Sequence, residues 1–197
     1  MPKAVFPGQI RCPDSSRGRA CCGLSEKCSI LGIDSETRPS FTKGQSHKVA
    51  FYCRFRRKSI VSLFRLNLTG LTLPVITLLE TPAVTKVGLS LRDDFMMLHK
   101  RAPFEQARLH RVAGICPHVR HSGQKPSKDI CHPFRRKDFK EPARLSNWEA
   151  DVLTPSQQQY AATDAWACLN IHNRLQELKR TGDFELAIEE SCHTTTL

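Results

Sequence analysis

One long amphipathic segment constrains the fold of this chain more than any other part of the sequence. Thr154 and Pro155 are typical of the start of a helix, and Gly182, which follows two basic residues, is typical of its end. Between these signals, one inward-facing stripe recurs at helical spacing: Tyr160, Asp164, Ala167, Ile171, Leu175 and Leu178. A buried acid such as Asp164 destabilises a fold unless a cation meets it. The segment therefore predicts a core helix that carries a charged functional group.

Shorter patterns on the N-terminal side of this helix predict alternating strands and helices. Residues 30–36 form an apolar strand pattern that ends in two carboxylates, and a second strand pattern begins at residue 49. Three further elements are predicted: a short buried helix at 73–80, a strand at 84–87 and a helix at 91–100.

Chain length and hydropathy limit the class of protein. The chain has 197 residues, which is enough for one domain with a substantial core. It contains no apolar run of about 18 residues, so we expect no transmembrane helix and no membrane partner. The first eight residues lack the apolar core of a signal peptide. We therefore expect a cytoplasmic protein whose cysteines are reduced thiols.

Four acidic residues stand where they can converge. Asp34 and Glu36 are two residues apart on the first strand, so both side chains point to the same face. Asp94 lies in the helix after the 84–87 strand, and Asp164 lies one turn after Tyr160 on the long helix. Clustered acids repel one another unless they share cations, and sites built only from oxygen favour Mg²⁺ or Mn²⁺. Two such ions about 4 Å apart can stabilise the attacking and leaving oxygens of a phosphodiester displacement.

These residues resemble the three motifs of the DEDDy-type 3′–5′ exonucleases. The motifs are Asp34-Ser35-Glu36, the Lys-Val-Gly-Leu-Ser-Leu-Arg-Asp-Asp segment at 86–94, and Tyr160-Ala-Ala-Thr-Asp164. The sequence is similar to ribonuclease D and, through the Leu-Ser-Asn-Trp segment at 145–148, to Werner-type exonuclease domains. The resemblance implies an α/β fold of the ribonuclease H-like exonuclease type, with a central mixed sheet flanked by helices.

The resemblance also implies an activity and a set of site residues. Four carboxylates would hold two Mg²⁺ or Mn²⁺ ions: Asp34, Glu36, Asp94 and Asp164. Tyr160 would position the attacking water. The substrate would be the single-stranded 3′ end of DNA or RNA, and the products would be 5′-mononucleotides. Asp93 stays an alternative to Asp94 as the ligand from the second motif.

Three stretches lack the period of a strand or a helix where the fold needs regular elements. Residues 10–30, 51–62 and 109–143 each acquire the missing element when a shifted reading frame is assumed. Positive charge and cysteine are concentrated in ranges that differ from these stretches by one or two residues: 11–30, 53–62 and 108–143. Together they hold 17 Lys and Arg against 5 Asp and Glu, and seven of the nine cysteines. Their net charge of +12 leaves −1 for the remainder of a chain whose total is +11. We therefore hypothesise paired frameshifts, in the gene or in the recorded sequence, and interpret the basic character as their consequence.

The frameshift hypothesis sets the expected domain organisation and an alternative function. Residues 1–29 would be a poorly patterned N-terminal segment, and residues 183–197 a C-terminal tail. Residues 30–182 would be the exonuclease domain, with 52–62 and 109–143 as its suspect parts. The alternative is a frameshift-damaged, non-catalytic remnant or a weak nucleic-acid-binding protein.

Charge in the second strand pattern makes that alternative concrete. Four cations occupy both faces of the pattern: Arg54, Arg56, Arg57 and Lys58. Burying one of them without a partner would cost several kcal/mol, comparable with the whole stability of a domain. We therefore expect a chain of low stability and weak or absent activity.

A zinc site is disfavoured. The Cys and His residues that could form one fit no common zinc-finger spacing: Cys116, His118, His121, Cys131 and His132.

Overall fold

A six-stranded sheet forms the centre of the structure, a computed structural model that describes residues 5–12, 29–42, 47–56, 60–105, 107, 109–111, 119–120, 143, 145–183 and 185–186. The strands are β1 (Gln9–Arg11), β2 (Ile30–Thr37), β3 (Val49–Arg56), β4 (Ile60–Phe64), β5 (Thr85–Gly88) and β6 (Leu109–Arg111). Their spatial order is β1-β4-β3-β2-β5-β6. β3 runs antiparallel to both of its neighbours, β2 and β4. The other neighbouring pairs are parallel: β1 with β4, β2 with β5, and β5 with β6. Two further strands, β7 (Val119–Arg120) and β8 (Glu185–Leu186), pair with each other.

Helices cover both faces of this sheet, which confirms the predicted α/β class with a mixed sheet flanked by helices. They are α1 (Leu66–Thr69), α2 (Leu73–Glu80), α3 (Leu91–His99) and α4 (Pro155–Thr181). On one face, Leu31 and Ile33 of β2 share an apolar cluster with α1, α2 and α3. On the other face, α4 packs through its alanines onto β4. Within the described part of the chain, no helix is both long enough and apolar enough to cross a membrane.

The long helix α4 forms as its end signals predict. Thr154 and Gln157 make the reciprocal hydrogen bonds of a capping box, and Gly182 ends the helix at φ 71°, in the left-handed region. The predicted stripe is buried at Tyr160, Asp164, Ala167, Ile171 and Leu178, and half-buried at Leu175. Three alanines widen the buried face and let the helix backbone approach the sheet: Ala161, Ala162 and Ala165.

The helix α4 approaches the sheet closely at Gly32 of β2. A Cβ atom placed on Gly32 would lie 2.1 Å from the backbone oxygen of Ala165 and 3.0 Å from the Cβ of Leu169. Only glycine fits between these atoms. Because side chains alternate along a strand, Asp34 and Glu36 share this helix-facing side of β2 with Gly32. Gly32 therefore sets the distance between α4 and the strand that carries both carboxylates.

The structure differs from the sequence prediction at the second strand. We expected the pattern that starts at residue 49 to fail within a few residues, but β3 continues to Arg56 and pairs with β2 and β4 along its length. Backbone pairing on both sides holds a strand whose side-chain pattern does not favour one. The side chains of 51–56 lie outside the described part of the structure, as do all atoms of 57–59.

The packed structure also extends beyond the N-terminal boundary that we predicted at residue 30. β1 pairs with β4 at the edge of the sheet, and Phe6 is buried in the cluster that includes α4. The amide of Phe6 donates a hydrogen bond to the Thr163 hydroxyl at 3.1 Å. A three-residue edge strand is too short to show a hydrophobic period, which is why the sequence pattern did not indicate it. Residues 13–28 and most of 112–142 lie outside the described residues, and so do the five residues of the disfavoured zinc site.

Candidate active site

Three of the predicted site residues meet between β2 and α4. Asp34 and Glu36 project from the C-terminal half of β2, and Asp164 projects from α4 one residue before the Ala165 contact with Gly32. One carboxylate oxygen from each residue lies within 4.8 Å of the others, and all three side chains are buried. Their exposed fractions are 3% for Asp34, 8% for Glu36 and 3% for Asp164. Strand alternation and the close helix contact together produce this carboxylate cluster.

The chemistry of this donor set fits a divalent metal ion. Three carboxylates at this separation repel one another strongly, because burial removes the water that would screen them. An octahedral ion with metal–oxygen bonds of about 2.1 Å spaces neighbouring ligand oxygens about 3 Å apart and opposite ones about 4.2 Å apart. The observed limit of 4.8 Å is close to that range. Oxygen-only donors favour Mg²⁺ or Mn²⁺ over softer metals.

Asp94 contacts β2 through Ser35, whose side chain points to the opposite face of the strand from Asp34 and Glu36. The Ser35 hydroxyl donates a hydrogen bond of 2.7 Å to Asp94 Oδ1, and Ser35 stands between Asp34 and Glu36 in the chain. Asp94 is half-buried, whereas Asp93 is exposed. Among the described residues, Asp94 is not within the 4.8 Å group. Asp94 is therefore held against β2 from α3, through a residue that the sequence patterns did not single out.

Tyr160 sits one turn before Asp164 on the buried side of α4. Its ring centroid lies 6.1 Å from that of the fully buried Trp148, at an interplanar angle of 48°. The Gln157 side chain donates to the Ser146 hydroxyl at 2.8 Å and to the Asn147 carbonyl at 3.1 Å. The start of α4 therefore holds the segment around Trp148 against Tyr160.

Two residues that position the site were not among the predicted functional residues. A glycine within a buried strand signals close backbone approach, so Gly32 had a readable signal. Ser35 had no such signal, because the residue between two acids on a strand points away from them and its partner is known only from the fold.

Lys86 of β5 is a fully buried cation, and its Nζ donates hydrogen bonds to the carbonyls of Thr81 at 2.6 Å and Ala107 at 3.1 Å. Burial lowers the pKa of Lys86 to about 8.

Sequence comparison finds related proteins along most of the chain. The sequence model of the 3′–5′ exonuclease family matches residues 13–179. The mouse (Mus musculus) bifunctional 3′–5′ exonuclease/ATP-dependent helicase WRN is 26% identical over 192 residues, which cover 92% of this chain and 14% of that protein. The Drosophila melanogaster exonuclease 3′–5′ domain-containing protein 2 is 30% identical over 151 residues, which cover 74% of this chain and 25% of that protein. The chain thus spans a quarter or less of the length of these two relatives.

Comparison with solved structures finds the same fold. The EXO domain of Aedes aegypti Nibbler superposes with a TM-score of 0.71 at 17% identity, covering 90% of this chain and 94% of that one. Trypanosoma brucei RNase D in complex with RNA U12 superposes with a TM-score of 0.63 at 14% identity, covering 85% of this chain and 62% of that one. At these identities the likeness concerns the arrangement of the sheet and helices.

Proposed function

The chain belongs to the 3′–5′ exonuclease family, and from that premise we propose that it hydrolyses phosphodiester bonds at the 3′ ends of single-stranded nucleic acid with two divalent metal ions. The released products are 5′-mononucleotides. The observation that carries the proposal is the carboxylate cluster of Asp34, Glu36 and Asp164, which is buried in the fold of this family, with Asp94 hydrogen-bonded to the same strand through Ser35.

The role of each residue follows from its position. Asp34, Glu36, Asp94 and Asp164 would hold the two ions through their carboxylate oxygens. When bound, the ions stabilise the charge on the attacking and leaving oxygens. Tyr160 orients the attacking water through its hydroxyl, and Trp148 fixes the ring that carries this hydroxyl. Ser35 keeps Asp94 at the end of β2 by donating to its Oδ1.

A single-stranded partner is consistent with the related proteins. One structural neighbour, the Trypanosoma brucei RNase D, was solved with a bound RNA, and this supports a nucleic-acid partner for the present chain. We propose that the strand enters from the end of β2, where the carboxylate cluster, Tyr160 and the segment 145–148 lie together.

A 5′-labelled single strand tests the proposed activity. The full chain is incubated with a DNA or an RNA strand and Mg²⁺ or Mn²⁺, and we expect a ladder that shortens from the 3′ end. Chromatography should identify the small products as 5′-mononucleotides. A strand whose 3′ end is blocked should survive, because an exonuclease needs a free terminus.

Neighbouring acids provide matched controls for this assay. Asp164→Asn and Asp94→Asn should each abolish product release, because each removes a ligand charge. Asp93→Asn should keep the activity, because Asp93 is exposed on the adjacent position of α3. Equal loss in the Asp93 and Asp94 variants would contradict the assignment of Asp94.

The alternative function has its own test. We propose that residues 10–30, 51–62 and 109–143 arise from paired frameshifts, because they concentrate the positive charge and the cysteines of the chain. Resequencing the locus around these codons tests the frameshift hypothesis: an uninterrupted frame that encodes the written protein would contradict it.

A binding assay distinguishes the two functions. A folded chain that binds the single strand without releasing nucleotides would favour the non-catalytic remnant over the exonuclease.

A further inference from the structure

Two side chains at the start of α1 bind the backbone of the segment that precedes α4. Arg65 donates from Nη2 to the carbonyl of Ala150 and from Nη1 to the carbonyl of Asp151, the latter at 3.3 Å. Asn67 Nδ2 donates to the carbonyl of Glu149 at 3.2 Å. Three consecutive carbonyls are therefore bound by residues that lie 82 to 86 positions away in the chain.

Trp148 lies next to these carbonyls and makes the contact with the proposed active site. Its side chain is fully buried, and its ring centroid lies 6.1 Å from that of Tyr160. On the other side, Gln157 Nε2 donates to the carbonyl of Asn147 at 3.1 Å. Trp148 is thus held between α4 and the contacts from α1. Loss of the contacts from α1 would loosen the indole against which the Tyr160 ring packs.

The shape of the Arg65 side chain suits this contact. Arginine presents its donors as a rigid planar fork, so one side chain can reach two neighbouring carbonyls at once. Both terminal nitrogens of Arg65 are used in this way, and its Nε is buried. The fork is therefore directed at the backbone of the protein itself. A lysine, with one compact ammonium group, cannot reproduce the two contacts.

We propose that Arg65 is a positioning residue for Tyr160: it holds the segment that carries Trp148, and Trp148 holds the Tyr160 ring. Asn67 assists through the third carbonyl. The inference rests on the proposed function for the role of the Tyr160 hydroxyl, which orients the attacking water. The carboxylate cluster depends instead on the contact of α4 with Gly32, so the loss of Arg65 should not move the metal ligands.

Tryptophan fluorescence tests the placement of Trp148 without any catalysis. The full chain has two tryptophans, so Trp166→Phe leaves Trp148 as the only indole. In that background Arg65→Lys should shift the emission to longer wavelength and increase quenching by acrylamide, because water gains access to the indole. Arg101→Lys is the matched control and should change neither signal. Arg101 is also partly buried and donates to a backbone carbonyl, that of Val49 in β3.

Asn67→Asp provides a second variant, which keeps the shape of the side chain and removes its donor. It should shift the emission in the same direction as Arg65→Lys. If the emission and quenching of folded Arg65→Lys equal those of the Arg101→Lys control, the proposal is overturned. If circular dichroism shows that Arg65→Lys does not fold, Asn67→Asp takes its place in this comparison.

Turnover of the 5′-labelled strand separates positioning of Tyr160 from a general loss of structure. Arg65→Lys should lower kcat about 10-fold, the effect typical of losing a supporting contact, with KM and calorimetric Mn²⁺ affinity unchanged. In a Tyr160→Phe background the same substitution should lower kcat no further, because the hydroxyl that it positions is absent. An equal loss in both backgrounds, or weaker Mn²⁺ binding, would overturn the proposal. If Trp148 responds as expected but no nucleotides are released, the placement of Trp148 by Arg65 stands and the proposed exonuclease activity fails.

Discussion

Replacing Gly32 by alanine should damage the active site more than it damages the fold. The new Cβ would lie 2.1 Å from the Ala165 oxygen, and real Cβ contacts are essentially never shorter than 3.0 Å. The helix α4 must therefore retreat by about 0.9 Å, the difference between these two distances. Asp164 is the residue next to Ala165, so it moves with the helix away from Asp34 and Glu36.

The size of this shift sets the expected effects. Metal–ligand distances tolerate about 0.2 Å, so a displacement several times larger should weaken Mn²⁺ binding. A misplacement of about 1 Å can lower activity about 100-fold. Overpacking of a core by one carbon costs about 1–3 kcal/mol of unfolding free energy. We expect Gly32→Ala to remain folded at low temperature, with kcat/KM reduced about 100-fold.

Leu178→Ala separates displacement from lost stability. Leu178 is buried on the same helix, 14 residues from Asp164 and therefore about 21 Å away. Its truncation should cost about 2–5 kcal/mol without moving Asp164. Urea unfolding, Mn²⁺ calorimetry and oligonucleotide turnover are measured on both variants. Full activity in Gly32→Ala, or an equal loss of Mn²⁺ affinity in Leu178→Ala, would refute the reasoning.

Three further predictions concern other contacts. Ser35→Ala should weaken the second Mn²⁺ binding step by about 10-fold in calorimetry, because Asp94 loses the donor that orients it, and Ser35→Thr should restore it. Because burial lowers the pKa of Lys86 to about 8, the unfolded chain binds more protons between about pH 8 and pH 10.4. The unfolding free energy should rise with pH across that window, by up to about 3 kcal/mol, and Lys86→Met should flatten the rise in urea titrations. Thr154→Ala should lower the unfolding free energy by about 1 kcal/mol, because it removes the hydroxyl that caps α4 at Gln157.

The elements with strong local signals were predictable from the sequence. The helix α4 has a capping box, a C-terminal glycine and a sustained apolar stripe, and it begins and ends where these signals lie. The spacing of Asp34 and Glu36 on a strand predicted that their side chains share one face, and both belong to the carboxylate cluster. Family motifs added Asp164 to the same site. Local spacing thus predicted that Asp34 and Glu36 share one face, and the resemblance to the family predicted that Asp164 joins them.

Contacts set by packing between distant segments were not predictable in the same way. The contact of Ser35 with Asp94 joins residues 59 positions apart, and neither side chain has a local signal for it. β3 forms although its charges argue against a buried strand, because β2 and β4 pair with it from both sides. A surface cleft is lined both by residues 38–42 and by residues 145–147, which are distant in sequence. Tertiary structure decides each of these features.

A crystal structure of the full chain grown with Mn²⁺ and a short single strand tests the central claim most directly. Anomalous scattering should place one ion within about 2.2 Å of oxygens from Asp34, Glu36 and Asp164, and a second ion near Asp94. The 3′-terminal nucleotide should lie against these ions. Mn²⁺ bound elsewhere, or a strand whose 3′ end is far from the carboxylate cluster, would contradict the proposed active site.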